Sequence, residues 1–241
     1  MFTRKLIRAG LLGYCLLIIN IGNTQNEVAR IEINKTITVP PSNSGQLYFT
    51  SDSLLNSNAI RFVNAYLKKN KFGLPLLKKR SKSSFAIINS IFSKNDIPVE
   101  LKYLAVIESG LKPGLINSCG AAGIWQIMPV TADELGLTIT ENSDDRLHIY
   151  KSTKAITKYL KQLHEQYGDW LLVIAAYNSG PGYVNRAIRL SGSHDFWKLQ
   201  NWLPAETRNH VKKFISIQYY FEGEDFKLLQ KKADEAQYSK S

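Results

Sequence analysis

Glu108 is the residue of this sequence best placed for acid–base chemistry. It lies in the segment LKYLAVIESGLKP, residues 101–113, directly after the apolar run LAVI. A carboxylic acid in apolar surroundings loses solvation of its charged form, which raises its pKa and lets it act as a general acid near neutral pH. A plain alternative stays open, because helices also use glutamate freely at exposed ends.

Two further stretches contain side chains suited to the walls of a cleft. In CGAAGIWQIMP, residues 119–129, Gly123 allows close backbone approach to a ligand, while Trp125 offers a stacking face and Gln126 a two-way hydrogen-bonding group. In AAYNSGPG, residues 175–182, Tyr177 and Asn178 stand just before a Gly-Pro break. For each aromatic residue taken alone, ordinary core packing is the favoured interpretation.

Helices must position these residues. Apolar spacing predicts two helices, around 60–67 and 85–92, joined by a basic loop LKKRSKS, and then a helix from Asp96–Pro98 to Gly110 that carries Glu108. Further helices are predicted from Ser152 to Gly168, after the capping residue Asp169, from Pro181 to Gly192, and across PAETRNHVKKFISIQYYF. Strand signals are confined to NSCGAAGIWQIMP and LGLTIT, so the patterns predict a mainly helical domain.

The 241 residues divide into four predicted segments. Residues 1–24 have the basic start and apolar run of a secretory signal peptide, with an uncleaved anchor or lipidation at Cys15 as alternatives that would give membrane association. Residues 25–51 are predicted to be a linker, 52–226 a folded domain with its core at about 96–220, and 227–241 a flexible tail. This organisation predicts an exported protein, in the periplasm or cell envelope of a bacterium, whose oligomeric state the patterns leave open.

Charge and residue counts exclude several kinds of function. The formal charge of +11 falls to +8 without the three leader cations, which suits an anionic polymer or surface, but the lysines are scattered without interleaved aromatics, so we expect no nucleic-acid binding. Cys119 remains the one cysteine after the leader and is interpreted as a small residue in a turn. The four histidines show no metal-ligand spacing, so we expect neither metal nor cofactor.

The order and spacing of ES at 108–109, GIWQ at 123–126 and AYN at 176–178 resemble the catalytic domain of lytic murein transglycosylases. The segments IPVELKYL and LPAETRNHVKKF are similar to the membrane-bound D type in particular, and the resemblance covers roughly residues 60–220. The chain departs from the family at His148, where an acidic residue is usual. Carbohydrate-binding repeats, which often follow the D-type domain, are not found after the last predicted helix.

The resemblance implies a lysozyme-like α+β fold and cleavage of the β-1,4 bond between N-acetylmuramic acid and N-acetylglucosamine in peptidoglycan glycan strands. Glu108 would be the single general acid and base, giving 1,6-anhydromuramic ends. The substrate would be contacted by six further residues, namely Ser109, Gly123, Trp125, Gln126, Tyr177 and Asn178. For Ser109 a self-capping role at the helix end is an alternative.

Two rival functions remain at this point. A lysozyme-like hydrolase would need a second carboxylate, and the obvious candidates are Asp144 and Asp145 in NSDDR. This stretch is better interpreted as a loop before a helix, where aspartate commonly caps the helix or pairs with Arg146. A non-catalytic glycan-binding protein of the envelope is the other rival. The missing second carboxylate favours the transglycosylase over the hydrolase.

Overall fold

Helices dominate the structure, a computed structural model that describes residues 57–222. The order of the helices is α1 (Ser57–Asn70), α2 (Gly73–Ser93), α3 (Lys102–Ser109), α4 (Pro129–Glu134), α5 (Ile149–Tyr167), α6 (Trp170–Ser179), α7 (Pro181–Ser191), α8 (Phe196–Leu199) and α9 (Ala205–Glu222). Short 3-10 turns cover Val99–Leu101, Asp145–Leu147 and Gln200–Trp202. The predicted leader 1–24, linker 25–51 and tail 227–241 lie outside the described residues.

The buried core surrounds α6, whose residues Leu171–Asn178 are all buried. Helix α9 packs against α1, α3 and α6, while α5 packs against α2 and α6. Helix α6 has no polar face because neighbouring helices cover it on several sides, and an all-apolar helix is stable in that position. Helix α3 is thereby held between α9 and the rest of the core, which fixes the direction of its C-terminal end.

Most helix boundaries follow the predicted signals. Asp169 accepts a hydrogen bond from the amide of Leu172 at 2.9 Å and starts α6. Gly110, Gly168 and Gly192 end their helices with left-handed φ values of 60°, 64° and 65°. These predictions are confirmed because each depends on local backbone chemistry, in which a short polar side chain caps the start and glycine supplies positive φ at the end.

Two boundary predictions are wrong. The basic stretch LKKRSKS is not a loop but the middle of α2, since lysine and arginine are good helix formers and project into solvent here. Helix α5 starts at Ile149 rather than Ser152, because the Nδ1 atom of His148 accepts from the amide of Lys151 at 3.4 Å and caps the helix. The short helices α4 and α8 were not predicted.

Within residues 57–222 extended structure is limited to isolated antiparallel bridges. Ile116 pairs with Ala122, Ala122 with Ile127, and Ile139 with Asp144. Each bridge has at least one residue in a stretch that carried a strand signal, while Ile116 and Asp144 lie just outside these stretches. The prediction of a mainly helical domain with small extended segments is confirmed. No helix in this part of the chain is long and apolar enough to cross a bilayer.

Candidate active site

Glu108 is the penultimate residue of α3, and its side chain is almost completely covered. The side chain is 1% exposed, and the partial exposure of the residue as a whole therefore belongs to its backbone. Burial raises the pKa of Glu108 to about 8, Lys213 acts to lower it and Glu206 to raise it. Since an ordinary glutamate titrates near 4.5, this carboxyl group is protonated at neutral pH and can donate a proton.

His210 on α9 faces the same carboxyl group. Its Nε2 atom lies 3.3 Å from Oε1 of Glu108, and its side chain is 7% exposed. Neither of these two atoms has a hydrogen-bond partner, because the orientation of the pair does not meet hydrogen-bond geometry. Burial, together with Lys213, lowers the pKa of His210 to about 3. A neutral imidazole therefore stands against a neutral carboxylic acid.

The GIWQ stretch forms a tight loop whose shape is fixed by internal contacts. Gly123 has φ +78°, and a Cβ atom there would collide with the carbonyl oxygen of Arg146. Gln126 has a left-handed φ of 50°, is 2% exposed and donates from Nε2 to the carbonyl oxygens of Gly123 at 2.9 Å and Leu115 at 3.3 Å. In this loop the glycine permits approach of protein backbone, and the glutamine amide stabilises the turn.

Trp125 and Tyr177 lie in the core. Trp125 has no exposed surface and donates from Nε1 to Thr153 Oγ1 at 3.0 Å. Tyr177 is equally buried and donates from its hydroxyl to the carbonyl oxygen of Trp125 at 2.8 Å. The predicted stacking of a sugar on Trp125 does not fit this position, because the indole presents no face to solvent.

Hydrogen bonds join the three sequence motifs into one unit. Ser109 Oγ donates to the carbonyl oxygens of Ala105 at 3.1 Å and Ile124 at 2.9 Å, and thereby ties the end of α3 to the GIWQ loop. Tyr177 ties α6 to the same loop. Asn178 follows in the last turn of α6 and is 4% exposed. The structure thus brings Ser109, the GIWQ loop and Tyr177 together, and most of the polar groups of these residues bind protein.

A second acidic region consists of Asp144 and Asp145, and both carboxylates are paired with basic side chains. The guanidinium of Arg146 contacts Asp144, with Nη2 to Oδ2 at 2.7 Å, and donates from Nη1 to the carbonyl oxygens of Gly120 at 2.6 Å and Ile127 at 3.0 Å. Asp144 also caps the 3-10 turn by accepting from the amide of Arg146. The hydrogen bond from Arg146 lowers the pKa of Asp144.

Asp145 has a separate partner in Lys151, whose Nζ lies 2.7 Å from Oδ1. Hydrogen bonds from Lys151 and from the amide of Thr138 lower the pKa of Asp145. The interpretation is confirmed for Asp144, which both caps the 3-10 turn and pairs with Arg146, whereas Asp145 pairs with Lys151 instead of Arg146.

A groove of about 700 Å³ runs beside α3, between α1 and α9. Ile107, the neighbour of Glu108 in sequence, lines this groove. Glu206 and Lys213 on α9 also line the groove, and both influence the pKa of Glu108. The α1 side contributes Phe62, Ala65, Tyr66, Lys69 and Asn70, and Asn209 completes the α9 side. The rings of Phe62 and Tyr66 are stacked with centroids 6.3 Å apart.

His210, Glu206 and the groove side chains were missed at the sequence level. Their signal would have been the position of His210 on the buried face of the last predicted helix, beside Val211 and Phe214. A histidine on an apolar face does not reveal its partner, however. Within residues 57–222 no cluster of three or more His, Cys, Asp or Glu side chains could hold a metal ion.

Comparison with known proteins identifies the domain that carries this site. Residues 86–200 match the family model of the transglycosylase SLT domain. Over 129 residues, 52% of this chain, the sequence is 41% identical to membrane-bound lytic murein transglycosylase D of Escherichia coli strain K12. The soluble lytic murein transglycosylase of the same strain is 30% identical over 121 residues, 47% of this chain and 19% of that protein. Residues 86–200, just under half of the chain, thus match the transglycosylase SLT domain, and Glu108 lies within the matched stretch.

The structural comparison agrees with this assignment. The 70-kDa soluble lytic transglycosylase, solved in complex with bulgecin A, superposes with a TM-score of 0.51 and 25% identity, covering 57% of this chain and 24% of that one. The predicted fold class, a mainly helical α+β fold of lysozyme-like type, is confirmed. The alignment with transglycosylase D covers 28% of that protein's length.

Proposed function

We propose that this protein is a peptidoglycan lytic transglycosylase of the bacterial cell envelope. The observation that carries the proposal is a buried Glu108 with its pKa raised to about 8, held at the end of α3 in an SLT domain. A protonated carboxyl group at neutral pH is the general acid that cleavage of a glycosidic bond requires. The relatives named above are lytic murein transglycosylases, which indicates murein as the substrate.

Glu108 serves both halves of the proposed reaction. It first gives its proton to the oxygen that links N-acetylmuramic acid to N-acetylglucosamine, and the bond from that oxygen to C1 breaks with an oxocarbenium-like centre. The resulting carboxylate then removes the proton of the muramic C6 hydroxyl, and the C6 oxygen forms a bond to C1. Glu108 regains its proton, a 1,6-anhydro ring is formed, and no water is consumed.

The groove beside Glu108 is the proposed site for the glycan strand. Its stacked pair Phe62 and Tyr66 offers apolar surface for sugar rings, and the amides of Asn70 and Asn209 can bond to acetamido groups. Lys69 and Lys213 supply positive charge for acidic groups of the polymer. Because the Glu108 side chain is 1% exposed and does not line the groove, glycan binding must open access from the groove to this side chain.

Most of the motif residues that were predicted to contact the substrate are proposed to support the site instead. Ser109, Gly123, Gln126 and Tyr177 use their polar groups or backbone to hold the wall behind Glu108. Their proposed contribution is to fix that wall, with Asn178 at the end of α6 left as the candidate for direct contact. Trp125 contributes by packing.

A hydrolase acting on the same bond is the second candidate, because Glu206 lines the groove and raises the pKa of Glu108. A carboxylate across the sugar from the general acid could activate water. The pairing of Asp144 and Asp145 leaves them without this role, so Glu206 is the residue to test.

Mass spectrometry of digested sacculi separates the two candidates. Wild-type protein and Glu206→Gln are both expected to release muropeptides lighter by one water than hydrolysed fragments, and Glu108→Gln is expected to release none while still binding sacculi. Glu165→Gln, an exposed glutamate on α5, is the matched control and should behave as wild type. Products with ordinary reducing ends would establish the hydrolase instead, and full activity of Glu108→Gln would remove Glu108 from the reaction.

A further inference from the structure

The contact between Glu108 and His210 is the one place in the candidate site where two buried titratable groups meet without another partner. Nε2 of His210 lies 3.3 Å from Oε1 of Glu108, and neither atom makes a hydrogen bond. A buried polar atom without a partner is costly, and proteins keep such atoms mainly where function uses them. The two residues come from different helices, α3 and α9, so local geometry does not force them together.

We propose that His210 is a positioning residue for Glu108, whose neutral Nε2–H donates to Oε1 and so leaves Oε2 to carry the transferred proton. This inference rests on the proposed function. The 3.3 Å separation is within reach of a hydrogen bond, and catalytic hydrogen bonds are often poorly aligned in the free enzyme and tighten in the complex. Oε1 is fully covered and faces His210, so the proposal assigns the contact with the substrate to Oε2.

The bond would matter most in the second state of the cycle. When Glu108 has given up its proton, a negative charge develops in a site that water does not reach, and a fixed donor stabilises that charge strongly. A neutral imidazole is suited to this task, because it keeps the same proton through the cycle and does not compete for the proton of Glu108. Burial lowers the pKa of His210 to about 3, which keeps it neutral at any working pH.

Other charged groups near the pair set the background against which His210 acts. Glu206 and Lys213 on α9 influence the pKa of Glu108 from the groove side, and Lys213 also influences His210. On α6, burial and then Glu108 raise the pKa of the Tyr177 hydroxyl, which donates to the carbonyl oxygen of Trp125. None of these three occupies the position of His210 against Oε1.

The test compares His210→Met, which keeps side-chain volume without a donor, with His210→Gln, whose amide nitrogen can replace Nε2. His210→Met is expected to lower kcat by roughly 100-fold, the usual effect of losing one donor to a developing charge, with KM unchanged. Its pH profile is expected to lose activity at higher pH than wild type, because loss of a donor to the carboxylate raises the pKa of Glu108. His210→Gln should recover most of kcat.

The control is His194→Gln, which changes an exposed histidine away from the site and should match wild type in kcat and pH profile. A wild-type kcat and pH profile for His210→Met would overturn the proposal, as would equal losses in the Met and Gln variants. If wild-type protein itself forms no anhydro product, the proposed function has failed, which these comparisons distinguish from a failure at His210.

A measurement on the wild-type fold covers the case in which His210→Met does not fold. In protein labelled with ¹⁵N-histidine, the nitrogen shifts are expected to show His210 neutral and protonated on Nε2 between about pH 5 and pH 8. The shift of Nε2 should also change as Glu108 ionises. A proton on Nδ1 alone, or a charged imidazolium, would overturn the proposal.

Discussion

Two regions of the domain hold carboxyl groups in opposite protonation states. Glu108 keeps its proton, and Asp144 beside Arg146 is ionised. Around Glu108 the protein removes water and supplies no hydrogen bond to Oε1, so the pKa rises to about 8. Around Asp144 it supplies a guanidinium and a backbone amide, and the pKa falls. The two carboxyl groups differ in burial as well as in donors: burial is the main cause of the raised pKa of Glu108, whereas the hydrogen bond from Arg146 is the main cause of the lowered pKa of Asp144, whose side chain is 15% exposed.

The two regions also differ in what they do for the fold. Arg146 joins Asp144 to two backbone carbonyls of the GIWQ loop, and so the ionised region holds the loop in shape. The neutral region pays a folding cost instead, since it buries a carboxyl and an imidazole without hydrogen bonds. We interpret the first region as a brace for the site and the second as the site itself.

The largest effect on stability is expected from Arg146→Met. The change removes the guanidinium from the Asp144 carboxylate and from the carbonyl oxygens of Gly120 and Ile127, although Asp144 keeps the amide of residue 146 and Ile127 keeps the amide of Ala122 as donors. Breaking this buried pair should lower the free energy of unfolding by about 3 kcal/mol. The matched change is Lys151→Met, which breaks the Asp145 pair at a lysine that is 53% exposed and should cost much less. Urea denaturation measures both, and equal losses would contradict the brace.

The next effect is on the pH dependence of stability. The folded-state pKa of Glu108, about 8, lies above the ordinary 4.5, so the folded state holds a proton that the unfolded state releases between these values. The contribution of Glu108 to the free energy of unfolding is therefore complete below about pH 4.5 and is lost as the pH rises through 8.

Glu108→Gln should remove that loss. The melting temperature of the variant minus that of wild type is expected to increase by roughly 3 °C per pH unit between about pH 5 and pH 8. Scanning calorimetry across this range measures the difference, with Glu165→Gln as the control that should show none. A difference that stays constant with pH would mean that Glu108 is not protonated in the fold.

The smallest predicted effects are opposite shifts of the alkaline limb of the activity profile. Glu206→Gln removes a negative charge that raises the pKa of Glu108, so the limb should move to lower pH. Lys213→Gln removes a positive charge that lowers it, so the limb should move to higher pH. The pH dependence of kcat measures both, and shifts of the same sign would contradict the electrostatic account.

Local chemistry explains which features could be predicted from the sequence. Asp169, Gly110 and Gly168 act within one helical turn, so their types alone locate the helix ends. Glu108 was predicted because apolar neighbours surround it in sequence as well as in space. The pairing of Asp144 with Arg146 spans two residues and was accessible for the same reason.

Contacts between distant segments explain what could not be predicted. His210 reaches Glu108 only because α9 packs along α3, and the groove exists only because α1 lies opposite α9. Trp125 has the same residue type whether it stacks on sugar or fills the core, and only the position of its loop over Thr153 decides. The stretch LKKRSKS shows the reverse error, because its charges suggested a loop although their helix propensity was high.

The protonation state of Glu108 can be measured directly by ¹³C NMR of glutamate side-chain carboxyls. The Glu108 signal would be assigned by its absence in Glu108→Gln and followed from about pH 3 to pH 10. We expect the titration of the Glu108 carboxyl signal to have its midpoint near pH 8. A midpoint near the ordinary 4.5 would show that Glu108 is ionised at neutral pH, and would contradict its role as the general acid.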